Sequence, residues 1–275
     1  MSENTRKYDV ASILDSLFQR AKQRDEFEYI CALSGFDMLG QGVNLLAETW
    51  SLLRDVVGLL DAPLRPEARL RLGLLLYCHL IEAKPIYATL ENMLFAMEGE
   101  RCCIDPFFDL CRVKNKNALM PERIPPSSKK VFAIVVAHAR RVGEHELADM
   151  LEAVLDDGLR NAFFHADYCI MEDGLWSRHS WFEEDGVKSQ LLTLSDVVKR
   201  VQNAFAFYRA FEHVYVQHRL SYKEPKMIRG RFGPNDSWVD IYVYTDPSGG
   251  GLTGFGNMPE PVGHGPGGTE SRASE

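Results

Sequence analysis

Nine consecutive residues, Leu72-Gly73-Leu74-Leu75-Leu76-Tyr77-Cys78-His79-Leu80, put apolar side chains on nearly every side of the helix they would form. Such a helix is stable in water only when other elements surround it. The segment therefore predicts a central helix over about residues 66–97. Pro66 suits its first turn, where a missing N–H costs nothing, and Pro85 is expected to kink it.

The neighbours are legible as amphipathic stretches. Residues 9–31 and 41–61 alternate apolar and charged positions with a helical period. Residues 128–141 carry Val131, Phe132, Ile134, Val135 and Val136, with Ser127 and Ser128 placed to cap them. From Glu146 onward, Leu147, Met150, Leu151, Val154, Leu155, Leu159 and Phe163 recur at steps of three and four, the signature of a helix burying one face. A long last helix starts at Leu194-Ser195-Asp196 and runs to about His218, its inner side marked by Val197, Val198, Val201, Phe205, Tyr208, Phe211, Glu212 and Tyr215. The fold class this implies is all-α, a helical bundle.

Two regions break the helical pattern. Residues 168–193 read as a β-hairpin, with Tyr168–Met171 and Ser189–Thr193 as strands and turn residues at Glu172-Asp173-Gly174 and Glu184-Asp185-Gly186. Beyond residue 220 the composition changes. A second hairpin is expected from Met227–Phe232 and Trp238–Tyr244 around Gly233-Pro234-Asn235-Asp236, followed by a Gly/Pro-rich tail, the last thirty residues, that lacks the apolar content to fold alone. The chain thus divides into a helical domain, residues 1–220, and a short β and disordered segment, residues 221–275.

Residues 99–126, with Pro106, Pro121, Pro125 and Pro126, read as a long connection. Net charge is −8, which argues against broad adhesion to nucleic acid. Its distribution is uneven: between Arg101 and Arg141 nine basic residues face three acidic ones. That segment could guide an RNA backbone, or serve as a solvated face. The six cysteines, Cys31, Cys78, Cys102, Cys103, Cys111 and Cys169, lack paired spacing, and Cys102, Cys103 and Cys111 have no nearby His, so neither disulfides nor a metal site is expected. No signal-peptide pattern follows Met1 and no apolar run is long enough to span a bilayer, which predicts a cytoplasmic protein without a membrane partner.

The chemistry-bearing stretch is Leu159-Arg160-Asn161-Ala162-Phe163-Phe164-His165-Ala166-Asp167-Tyr168. Arginine is permanently cationic and forks onto phosphate oxygens. Histidine is the side chain whose unperturbed pKa, about 6.5, suits proton transfer near neutrality. The spacing alone is a weak signal, since His145 also follows an arginine, Arg140, at the same distance, across a turn at Gly143. On an ideal helix His165 lies about 140° round and about 7.5 Å along from Arg160, so the two side chains converge only if the helix ends there. Upstream, His79 and Glu82 stand three apart and either border the same cleft or satisfy each other as a buried polar pair. Arg160 can instead pair with Asp156 or Asp157 on its own helix.

Leu-Arg-Asn, three residues, then His, a small residue, Asp and Tyr resembles the signature of HEPN domains, most clearly across residues 126–220. The resemblance implies an all-helical domain that dimerises and brings two Arg-x4-His motifs into one cleft, where many members cleave RNA without a metal or other cofactor. Carried over by position, it makes Arg160 and His165 the catalytic pair, with Asn161 in support; His79 and Glu82, from the central helix, are the further supporting candidates. It further implies an RNA substrate, a homodimer, a toxin or phage-defence role, and an antitoxin or regulatory protein as a further partner. The competing expectation is a noncatalytic module of the same fold that binds nucleotides, RNA or protein.

Overall fold

Asp25 divides the first amphipathic segment into α1 (Val10–Arg24) and α2 (Glu26–Ser34). Its backbone is extended, and its side chain accepts hydrogen bonds from the N–H groups of Phe27 and Glu28, both at 3.1 Å, so a capping carboxylate starts a second helix where one was expected. The computed structural model describes residues 9–35, 45–115, 119–120, 122–184, 186–232, 237–248 and 251–258.

Two further stretches expected to be single helices are also divided. After α3 (Leu45–Leu60), the expected central helix is two: α4 (Pro66–Ile81) stops at Glu82, and α5 (Lys84–Glu98) starts afresh after Ala83. Pro85 therefore sits in a first turn and does not kink a continuous helix, because there its missing N–H has no partner to lose. After α6 (Ser128–Arg141), the stretch expected to be one motif helix is α7 (His145–Val154) and α8 (Asp157–Phe164). Asp156 caps α8 through the N–H of Leu159 at 2.8 Å.

The last helix, α9 (Leu194–Leu220), is 27 residues long and packs against α1, α4 and α7. Thr193 caps it through the N–H of Asp196. Polar ties cross the bundle. His218 of α9 joins Tyr29 of α2 (2.6 Å) and Asp15 of α1 (2.8 Å). His138 of α6 joins Glu91 (2.8 Å) and Glu98 (3.1 Å) of α5.

The all-α expectation is overturned. Among the described residues about 59% are helical and 18% strand, in four small sheets, which makes this a mixed α/β fold. The strands are short, and most sit in polar or glycine-rich sequence where alternation is hard to read. Within the expected loop, β1 (Arg112–Lys114) pairs with β2 (Glu122–Ile124). After α8 come β3 (Cys169–Ile170), β4 (Gly174–Trp176), β5 (Phe182–Glu184), β6 (Val187–Ser189) and β7 (Leu191–Thr193). The two strands expected to form a hairpin do not pair: β4 lies between β3 and β7, and β5–β6 forms a separate hairpin. Gly174 permits this register, since a Cβ there would stand 2.3 Å from the Leu192 carbonyl oxygen.

The C-terminal hairpin forms as expected from β8 (Lys226–Phe232) and β9 (Ser237–Asp246), with Met227 opposite Tyr242 and Arg231 opposite Trp238. Its turn, residues 233–236, lies outside the described residues. Part of the tail expected to be disordered supplies a third strand, β10 (Gly251–Gly256), paired with β9. Gly251 has φ +81°, and a Cβ on it would meet the Arg219 carbonyl oxygen at 2.5 Å, so only glycine lets β10 start against the end of α9. Residues 259–275 lie outside the described residues. Val243 and Leu252 belong to the same buried cluster as Leu14, Leu80 and Phe211, so the sheet shares the helical core.

Candidate functional site

Three elements place Arg160. It stands on α8, its backbone N–H bonded to the Asp156 carbonyl at 3.0 Å, and α8 packs on α4. Because α4 stops at Ile81, Glu82 is its C-cap residue and faces the guanidinium: Arg160 Nε and a terminal nitrogen both donate to Glu82 Oε1, at 2.9 and 2.5 Å. The other terminal nitrogen donates to Asn161 Oδ1 at 2.7 Å, and the guanidinium lies 5.0 Å from the Phe164 ring centroid. Ser128, in the first turn of α6, adds a bond from its hydroxyl to the same Glu82 oxygen at 2.9 Å. Ser127 occupies the N-cap position without a side-chain cap bond.

Arg160 has five N–H donors. Three are committed to Glu82 and Asn161, so two remain for a ligand, and the side chain keeps 22% of its exposure. The guanidinium is pinned but not saturated. Neither Asp156 nor Asp157 pairs with it: Asp156 forms an ion pair with Arg200 of α9, and Asp157 takes Lys129 at 3.2 Å.

His165 follows α8 directly, exposed, with φ −88° and ψ 3°. The helix ends there as the convergence of the two side chains requires. The N–H of Ala166 bonds the Phe163 carbonyl at 3.1 Å and the N–H of Asp167 bonds the Ala162 carbonyl at 2.9 Å, with Ala166 left-handed at φ +51°. This is a Schellman ending built on alanine where glycine is usual. No hydrogen bond or ion pair links Arg160 to His165 among the described residues. The turn beyond is tied down by Asp167, whose Oδ2 accepts from the Ser177 hydroxyl (3.1 Å) and the His179 N–H (2.8 Å). Desolvation opposes ionisation of Asp167, but the bonds from His179 and Ser177 together outweigh it and hold its carboxyl below the usual range.

Of the supporting residues, Asn161 and Glu82 meet Arg160 directly, whereas His79 does not reach Glu82. His79 is half-buried, its Nε2 has no hydrogen-bond partner among the described residues, and burial lowers its pKa. Cys78 lies beneath the site, its thiol directed at the Arg160 carbonyl at 4.0 Å. Burial pushes that thiol up to about 12, which removes it as a nucleophile near neutrality.

A cleft of 410 Å³ adjoins Asn161, with Lys129, Lys188, His179 and Trp181 in its lining together with Asp156 and Asp157. The basic segment does not form a stripe beside it. Arg140 is spent on Glu152 and Asp149, Arg141 on Glu98, and Arg123 on the Phe108 ring. Sequence reasoning missed Arg200, and gave Ser128 and Asp156 other roles, capping α6 and pairing with Arg160, than the bonds to Glu82 and Arg200 that they make. A signal existed for Asp156: Asp157-Gly158 is a turn dipeptide, overridden in the reading by the apolar period running through it.

Among the described residues no group of His, Cys, Asp and Glu is arranged to hold a metal ion. No described helix is long and apolar enough to cross a membrane. No protein-family model, no curated protein and no solved structure matches this chain.

Proposed function

We propose that this chain is a metal-independent endoribonuclease of the HEPN kind, acting in the cytoplasm as a homodimer. His165 takes the proton from a ribose 2′-hydroxyl, whose oxygen attacks the adjacent phosphorus. The P–O5′ bond breaks, and the partner's His165 protonates the leaving oxygen, giving a 2′,3′-cyclic phosphate and a 5′-hydroxyl. Arg160 offers its two uncommitted N–H donors to the non-bridging oxygens as charge develops on them. Glu82, Ser128 and Asn161 are positioning residues that hold the guanidinium.

The observation that supports this reading is that one short segment carries a pinned, unsaturated guanidinium on α8 and an exposed imidazole just past its end. One observation favours a second reading. Glu82 matches the charge of Arg160, so the site is close to neutral before any ligand arrives, as suits a noncatalytic module of the same fold that binds nucleotides, RNA or protein.

Labelled RNA incubated with purified protein, with and without EDTA, decides between them. The nuclease reading expects EDTA-resistant cleavage ending in a cyclic phosphate, reduced at least about 10²-fold in Arg160→Ala and His165→Ala. RNA left intact by folded wild-type protein refutes it. If the enzyme is a toxin or phage-defence component restrained by an antitoxin, its expression alone slows host growth and either substitution relieves that.

A further inference from the structure

A second cleft lies elsewhere, between α2, the segment after α5 and β10. It measures 530 Å³, and its lining includes Phe27, Glu28, Ser34, Arg101, Ile104 and Phe255. That volume is in the range of small-molecule sites, which are usually apolar hollows with a few placed polar groups. None of its residues belongs to the cluster around Arg160, so the inference stands independently of the nuclease reading.

Two polar atoms of its lining residues lack hydrogen-bond partners among the described residues. Glu28 is only 2% exposed; its Oε2 accepts the Cys102 N–H at 2.6 Å, while its Oε1 is enclosed with no hydrogen bond among the described residues. Ser34, 6% exposed, has an enclosed Oγ in the same condition. Enclosed oxygens in native proteins are nearly always satisfied, so a pair of orphans lining one cleft points to a ligand that supplies the missing bonds. Burial raises the Glu28 pKa, against the Cys102 N–H and the Arg101 charge that lower it, which accords with a carboxyl lacking its full set of donors.

The lining restricts the ligand. Phe27 and Phe255 meet edge to face with ring centroids 5.2 Å apart, and Ile104 extends this apolar wall, which suits a flat aromatic body. Arg101 disfavours a cation and Glu28 an anion, so the ligand is neutral. Six residues separate Glu28 from Ser34 on α2, about 9 Å along the helix axis and about 120° round it, which suits a ligand with donor and acceptor at opposite ends, as on a fused bicycle.

We propose that this cleft binds a neutral fused-ring heteroaromatic base, with an exocyclic amino group donating to Glu28 Oε1 and a ring nitrogen at its far end accepting from the Ser34 hydroxyl. The test uses free 2-aminopurine, whose fluorescence reports binding, titrated into the full chain, with purine and the single-ring 2-aminopyrimidine as competitors. Expected is a Kd below about 1 mM. Both competitors should be weaker by about tenfold, the factor that corresponds to about 1.4 kcal/mol.

In Glu28→Gln the amide oxygen keeps the Cys102 bond and turns a donor toward the ligand's donor, so affinity should fall at least about tenfold. Thr253→Trp, at an exposed position that also lines the cleft, should block binding without touching Glu28. Thermal melts confirm that each variant is folded. The proposal is overturned if wild type does not bind, if purine binds as well as 2-aminopurine, or if both folded variants bind like wild type, the last meaning that the cleft holds water only.

Discussion

Replacing Asp156 by alanine removes two supports of α8 at once. The first is the N-cap bond to Leu159, worth about 1 kcal/mol. The second is the ion pair with Arg200, whose side chains keep 11% and 18% of their exposure. That burial places the pair between exposed bridges, worth up to about 1 kcal/mol, and fully enclosed ones, whose disruption costs about 3–5 kcal/mol. About 2 kcal/mol is the working figure, because burial already lowers the Arg200 pKa and would leave that cation poorly solvated without its partner. Asp156→Ala should therefore lose about 3 kcal/mol and about 6–12 °C in Tm, at about 2–4 °C per kcal/mol for a chain near this size. Asp156→Asn keeps an oxygen for the cap and loses the charge, so it should lose about 2 kcal/mol and about 4–8 °C. Differential scanning calorimetry of the three proteins measures both numbers. Equal melting temperatures for the two variants would show that the cap contributes nothing, and a drop below about 2 °C in both would refute the account of how α8 is anchored.

Three further expectations follow from the same geometry. Ala166→Gly relieves a left-handed residue that costs alanine roughly 1–2 kcal/mol, offset in part by about 0.5–1 kcal/mol of glycine's extra entropy, so Tm should rise by up to about 6 °C; a fall would show that the exposed alanine side chain matters in its own right. Glu82→Ala frees the Arg160 guanidinium, so in an RNA-cleavage assay KM should fall with the loss of a negative charge while kcat falls by about 10- to 10²-fold from misplacement, and an unchanged kcat would remove Glu82 as a positioning residue. Burial depresses the His218 pKa against the opposing Asp15 hydrogen bond, so the unfolded chain takes this proton first; the group's contribution to stability is whole above about pH 6.5 and is lost as pH falls below it, and Tm measured from pH 7 to 5 should decline less steeply in His218→Gln than in wild type. Parallel slopes would exclude His218 as the source.

Legibility followed the range of the interaction. The amphipathic stretches and the hydrophobic staves of α4, α6 and α9 are visible because an i, i+3, i+4 pattern is local. The helix breaks at Asp25, Glu82 and Asp156 leave no trace in the pattern, since apolar period carries across a single terminal residue at no cost to it. Strands β1, β2, β5 and β6 were invisible for the opposite reason: three residues cannot display an alternation, and each strand exists because a partner supplies its hydrogen bonds. In the site, Arg160, Asn161, His165 and Glu82 were nameable from residue type and spacing. That Glu82 serves Arg160 and not His79 depends on where α4 ends relative to α8, and Ser128 joins them from a third helix.

Residue order alone dictated that this chain must build a helical core around residues 72–80 and close it with α9, because apolar surface of that extent has no stable alternative in water. It also placed a cation and an imidazole at the end of one helix, since five residues of spacing and a stop at residue 165 are local facts. Packing decided the rest: which carboxylate restrains the guanidinium, how many donors it leaves open, and that a glycine-rich stretch after residue 250 completes a sheet against α9. Those outcomes rest on contacts between residues tens to hundreds of positions apart, whose bonds form only after the chain has paid the entropy of bringing them together, and no local pattern encodes that balance.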